Sequence, residues 1–212
     1  MKIHILGGPG SGKTTLAQDL SNRFHIPHHD LDKIGWKNGE RMTAYIDDAD
    51  AIAEQPDWVT EGIYLMWIDP LVYQADYIIL LDVSWPVAAW RITLRHISKS
   101  LRGTNPYPGV KILFNFLKDT YRYYVNKVSA NTPEAKLMRL YFEEHGETIT
   151  RSDAEVLLMR LEKYKAAFPF GAEFTRLYLA KYKEKVFVVK NNNDRKRLFE
   201  FLAGEKLPID AE

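Results

Sequence analysis

Gly7-Gly8-Pro9-Gly10-Ser11-Gly12-Lys13-Thr14 sets four glycines, one lysine and two hydroxyls within eight residues. The spacing is G-x-x-x-x-G-K-[ST] at every fixed position. Glycines let a backbone wrap closely around a pyrophosphate and turn several N–H groups inward as an anion nest. A helix that starts near Lys13 points its positive end at the same anion. Lys13 then reaches the terminal phosphates and the Thr14 hydroxyl can ligand magnesium. Gly8, Pro9, Gly10, Ser11, Gly12, Lys13, Thr14 and Thr15 are therefore the expected binding stretch for ATP with Mg²⁺. A flexible turn with an incidental lysine would also carry glycines. Here the stretch lies between an apolar segment and a helical pattern, the context in which the motif has its mechanism.

A second group of polar residues follows. Asp30 and Asp32, in "HHDLDKIGW", come just after a strand-like segment. They should project from the carboxyl edge of a sheet, where ligands bind in open α/β folds. Alternation along an extended chain would send both carboxylates to the same side. One can orient an acceptor hydroxyl and the other can hold a magnesium-bound water. The bland alternative is a pair of solvated loop aspartates, one of them capping a turn. Glu61-Gly62 is a third acidic candidate at that edge, facing the acceptor or holding metal through water. Tyr64 and Trp67 are either walls of an acceptor pocket or core. On a helix from Val87 to Arg102, Arg91, Arg95, Ser98 and Arg102 share one face beside the apolar residue Trp90.

These residues need a scaffold. Ile3, Ile5 and Leu6 form an apolar segment ending at Gly7, and Leu16, Leu20 and Phe24 recur every four residues after Lys13. Further strands are expected at Ile26 to His29, in "DWVTEG", at Tyr77 to Val83 and at Lys185 to Asn191. Helices are expected at Tyr45 to Glu54 and after the asparagine run, where Leu198, Phe199 and Leu202 make an apolar face. Alternating strands and helices imply right-handed crossovers and a five-stranded parallel sheet with helices on both faces. Between Val83 and Lys185 the pattern is helical throughout, with Ile112, Leu113, Phe116, Leu117, Tyr124 and Val125 in one stripe and a capping box at Ser152 to Glu155. The expected division is a core over 1–105, a helical lid or insertion over 106–183, and the last strand and helix over 184–212.

Composition excludes several classes. The 212 residues contain no cysteine, which removes disulfides, thiolate metal sites and a cysteine nucleophile. A formal charge of +1 exerts no bulk pull on nucleic acid or anionic membrane. Lys111, Lys118 and Arg122 form a basic row, but Asp119 interrupts it, so nucleic acid is not the favoured partner. His25, His28 and His29 lack the spacing of metal ligands. A guanine-reading switch protein would carry Asn-Lys-x-Asp, and "NNND" at Asn191 to Asp194 lacks the lysine. With no leader or membrane span in the pattern, a cytoplasmic protein is expected.

"GGPGSGKTT", "HHDLDKIGW", "VTEGIY", "ADYIILLDV" and the Arg91–Arg95–Arg102 series together resemble the adenylate kinase-related DNA topology modulation proteins, within the P-loop nucleoside and nucleotide kinase superfamily. The resemblance covers about the first hundred and five residues and the last strand and helix; the segment from Tyr121 to Tyr182 departs from it. It implies a P-loop kinase acting on a small-molecule acceptor that is nucleotide- or nucleoside-like. Lys13 and Thr14 would serve phosphates and magnesium, and Asp32 and Glu61 would face acceptor and metal. Asn191 and Asn192 would lie by the adenine, and Arg91 and Arg95 would close from the lid onto the transferred phosphoryl group. The alternative is an ATP-binding regulator associated with nucleic acid that uses the same loop as a sensor.

Overall fold

The computed structural model describes residues 1–33, 42–63, 68–125 and 171–204. Five short strands, β1 (Lys2–Gly7), β2 (His28–Asp30), β3 (Trp58–Glu61), β4 (Tyr77–Leu81) and β5 (Val186–Val189), pair in the order β2-β3-β1-β4-β5. Every pairing is parallel. Between them come α1 (Lys13–Phe24), α2 (Met42–Ala53), α3 (Asp69–Gln74), α4 (Trp85–Leu101), α5 (Val110–Val125) and α6 (Ala172–Leu179). The chain ends in α7 (Asn192–Leu202).

Parallel strands need crossovers, and the crossovers cover both faces, so the inner strands are largely apolar on both faces. On one face Ile3, Ile5, Val59, Ile79 and Leu81 pack with Leu16, Ala17 and Leu20 of α1 and Leu198 of α7. On the other, Leu6, Trp58, Ile78 and Leu80 pack with Ile52 of α2, Leu71 and Val72 of α3, and Phe174, Tyr178 and Leu179 of α6. Each such buried side chain contributes about 1.5–3 kcal/mol. Residues 172–179, grouped with the insertion on sequence grounds, thus lie against the sheet. The capping box at Ser152 falls outside the described residues.

Two boundaries move from their expected places for identifiable reasons. The second strand begins at His28 rather than Ile26, because Pro27 has no N–H to pair and offers only its carbonyl, which accepts from Val59 N at 2.8 Å. Ile26 then serves the α1-side core. Helix α4 starts at Trp85, before the expected Val87, since Pro86 is well suited to a first helical turn. No helix among the described residues is long and apolar enough to cross a membrane.

His4 interrupts the apolar run of β1. It is fully buried, its Nδ1 lies 2.7 Å from Thr60 Oγ1 on the neighbouring strand, and its Nε2 has no partner among the described residues. Burial, reinforced by the positive charge of Lys13, pushes its pKa down to about 3. The folded protein therefore holds His4 neutral, whereas the unfolded chain takes up a proton near pH 6.5. This contribution to stability is complete above pH 6.5 and is lost as pH falls toward 3. In urea titrations, His4→Gln should lose about 2–3 kcal/mol less stability than the wild type between pH 7 and about 4.5. Parallel losses in the two proteins would show that His4 does not drive the acid limb.

Candidate functional site

Gly7 pairs with Leu81 and is the last residue of β1 before the chain leaves the sheet at its carboxyl edge. The loop that follows closes with Ser11 N donating to Gly8 O at 3.1 Å. Gly10 and Gly12 have φ of 80° and 99°, left-handed values that glycine adopts without strain. Gly12 then stands at the N-cap of α1, where no side chain caps the helix and no acidic residue occupies the first turn. The first N–H groups of α1 are left for an anion. The Ser11 hydroxyl, buried beside them, also has no partner among the described residues.

Lys13 curls back over this loop, with Nζ 3.4 Å from Gly8 O. Loss of water pushes its pKa down, and Glu61, Asp32 and Asp30 push it back up, while Arg95 adds to the depression. Glu61, Asp32, Asp30 and Arg95 are thus the charged side chains whose fields reach the ammonium. Thr14 Oγ1 donates to Glu61 Oε1 at 2.7 Å. Burial raises the Glu61 pKa, chiefly against the Thr14 hydrogen bond and the charge of Lys13. This pairing depends on strand order: β3 lies directly beside β1, with Ile5 opposite Glu61 and Asp30 opposite Glu61 on the far side.

Most of the residues expected from sequence therefore converge on one edge. Arg91 Nη1 donates to Ser11 O at 2.7 Å, which ties α4 to the loop, while Arg95 acts on Lys13 through its charge. Arg102 is spent within its own helix on Ser98 Oγ at 2.9 Å. The two aspartates do not leave a strand side by side. β2 ends at Asp30, whose Oδ1 accepts from Asp32 N at 3.1 Å and Lys33 N at 3.4 Å and whose Oδ2 pairs with Lys33 Nζ at 3.2 Å. Asp30 thus caps the turn, and Asp32 is carried on it as the exposed carboxylate. Tyr64 and Trp67 fall outside the described residues.

At the same edge Asn191 caps α7: its side chain accepts from Asn193 N at 2.8 Å and Asp194 N at 3.1 Å, and Asp194 Oδ2 returns the bond to Asn191 N at 3.2 Å. Asn192 follows as the first residue of that helix. Asp82, past the end of β4, pairs with Arg176 of α6 at 2.6 Å. Among the described residues no group of three histidines, aspartates or glutamates could hold a metal ion. Thr14 and Glu61 are the oxygen donors beside the loop, and they suit a hard cation that is also held by phosphate oxygens.

Sequence reasoning missed what grips the loop from outside. A Cβ on Gly8 would lie 2.5 Å from Tyr123 Cε1 and 2.8 Å from Tyr124 Oη. A Cβ on Gly10 would lie 2.8 Å from Ala88 O and 2.9 Å from Ile92 Cγ1. The glycines thus admit α5 and α4 as well as a ligand. Tyr123 Oη is 3.3 Å from Thr175 Oγ1 of α6, and Tyr124 packs against Trp85 with ring centroids 5.7 Å apart. Nothing in "YRYYV" marks the tyrosines as loop contacts; the pattern places them only on a helix.

A parallel sheet of this order, with a glycine loop and an uncapped helix following its central strand, defines an α/β P-loop nucleotide-binding fold. Its similarities run to P-loop kinases. The chain is 34% identical over 70 residues to an adenylate kinase of Listeria monocytogenes serotype 4b, covering 30% of this chain and 31% of the relative. It is 40% identical over 67 residues to an adenylate kinase of Clostridium perfringens, covering 28% and 30%. The matched part thus spans about a third of the length of these curated relatives. A shikimate kinase structure from Bacteroides thetaiotaomicron superposes with a TM-score of 0.42 at 14% identity, covering 78% of this chain and 98% of that one. No family model matches.

Gly8→Ala should destabilise the protein by about 1–3 kcal/mol through overpacking against the tyrosine rings. Adding Tyr123→Leu should recover part of that loss, because the two sites share the contact. Chemical denaturation of the single and double variants checks this; strictly additive losses would show that the ring is not what excludes the methyl group.

Proposed function

We propose that the protein is an ATP-dependent phosphotransferase whose acceptor is a small nucleoside- or nucleotide-like molecule. The observation that carries this reading is the convergence of a dehydrated Lys13 ammonium, an uncapped helix end, three carboxylates and Arg95 on one sheet edge. The helix end and the lysine would take the triphosphate; the carboxylates and arginine would serve the group that receives the phosphoryl. Similarity to adenylate kinases over about a third of their length supports the same class. The topology modulation resemblance rests on the sequence motifs alone.

In this reading the loop N–H groups and Lys13 hold the phosphates. Thr14, with Glu61 through a water, would hold Mg²⁺, which supplies charge neutralisation on the phosphate oxygens when bound. Asp32 orients the acceptor hydroxyl and takes its proton as that oxygen forms a bond to the γ-phosphorus. The bond from the γ-phosphorus to its bridging oxygen breaks, and its electron pair leaves with ADP. Transfer has a loose transition state, so positioning and electrostatics dominate, and Arg91 and Arg95 supply positive charge to the equatorial oxygens. Asn191 and Asn192, at the neighbouring edge, would border the adenine.

Calorimetric titration with Mg·ATP should give saturable binding that is lost in Lys13→Ala. An ATP-consumption screen over nucleosides, nucleotides and polyols should identify an acceptor that DNA does not replace. With that acceptor, Asp32→Asn should keep ATP affinity and lower turnover at least 10²-fold, and Arg95→Ala should lower it about 10³-fold. Hydrolysis that needs DNA and falls steeply with salt would favour the nucleic-acid regulator instead.

A further inference from the structure

The outer turn of the glycine loop carries a hydrogen bond that phosphate binding does not itself require. Tyr124 Oη donates to Pro9 O at 3.1 Å. Burial pushes the Tyr124 phenol well above its ordinary pKa, so the hydroxyl remains a donor at neutral pH. The peptide between Pro9 and Gly10 is planar and trans, so its carbonyl and its N–H point in opposite directions. A carbonyl held toward α5 therefore turns the Gly10 N–H away from α5.

Within the loop this orientation is favoured only by the turn itself, in which Ser11 N donates to Gly8 O around Pro9 and Gly10, the latter at φ 80°. The Tyr124 bond is the contact that holds the carbonyl from outside. Rotating this peptide plane changes ψ of Pro9 and φ of Gly10, and glycine tolerates either sign of φ. A rotated plane would exchange an N–H donor for a carbonyl oxygen on the side away from α5, which repels an anion. The lack of a side chain at Gly8 is what lets the tyrosine pair come this close. Tyr123 holds the pair in place through Thr175 of α6.

We infer that Tyr124 is a positioning residue for phosphate binding, locking the Pro9–Gly10 peptide so that the Gly10 N–H faces a bound polyphosphate. The inference rests on the triphosphate-binding reading above. It assigns to α5 a part in ATP affinity that a lid over the acceptor would not have.

The test compares the wild type with Tyr124→Phe, which keeps the ring and removes the hydroxyl. The variant should bind both Mg·ATP and inorganic tripolyphosphate about five- to tenfold more weakly, as expected for one lost ordering hydrogen bond. Its melting temperature should stay within about 2 °C of the wild type, since the ring packing is kept. In the wild type the Gly10 amide proton should move downfield on addition of tripolyphosphate, and in the variant that shift should shrink. Equal affinities in the two proteins, or a Gly10 amide in the wild type that does not respond to bound tripolyphosphate, overturns the role of Tyr124 and leaves the kinase reading standing. A wild type that binds neither Mg·ATP nor tripolyphosphate overturns both. Should the variant fail to fold, the wild-type amide response decides alone.

Discussion

Lys13 holds an ammonium group that is half-buried, and burial pushes its pKa down. Glu61, Asp32 and Asp30 offset this, and they come from two places in the chain, the end of β3 and the turn after β2. Their arrival around one cation follows from strand order. β3 beside β1 brings Glu61 level with the start of the loop, and β2 beside β3 adds Asp30 on the next strand out.

The same group explains the tension in the rest of the edge. Glu61 is itself buried, which raises its pKa, and the Thr14 hydroxyl and Lys13 act against that rise. Arg95 opposes the lysine, while Arg91 is committed to Ser11 O. The uncapped end of α1 adds a positive partial charge beside Lys13. An anion completes such an arrangement. A polyphosphate supplies several negative charges at one point, which no side chain among the described residues does here.

The sheet and its first helix were legible because both rest on local periodicity. Ile3, Ile5 and Leu6 bury whichever way they face, and Leu16 and Leu20 repeat at helical spacing toward the same core. The glycine motif was legible because its spacing carries a mechanism. Asp32 was misplaced by assuming that the strand continued; Asp30 ends it by accepting two backbone N–H groups, a turn that alternation cannot foresee. The N-cap role of Asn191 was in plain view as Asn-x-x-Asp, yet the position invited a ligand reading. Contacts of Tyr123 and Tyr124 with Gly8 join residues more than a hundred positions apart, and no pattern within either segment encodes that distance.

Those distant contacts change what the glycines mean. A loop made flexible only for its ligand would have to be ordered at the moment of binding, at a cost of about 1–2 kcal/mol per residue fixed. Here Gly8 lies against the α5 tyrosines, Gly10 against Ala88 and Ile92 of α4, and Ser11 O against Arg91. The backbone freedom that glycine brings is thus removed by helices α4 and α5 before any phosphate arrives. What remains of it is geometric: main-chain atoms lie closer to two helices than any other residue would allow. Because both helices follow β4, the stiffness of a site at the N-terminal end of the chain is set by residues far along it. Mutations in α4 or α5 can therefore alter the shape of the glycine loop without lying in it.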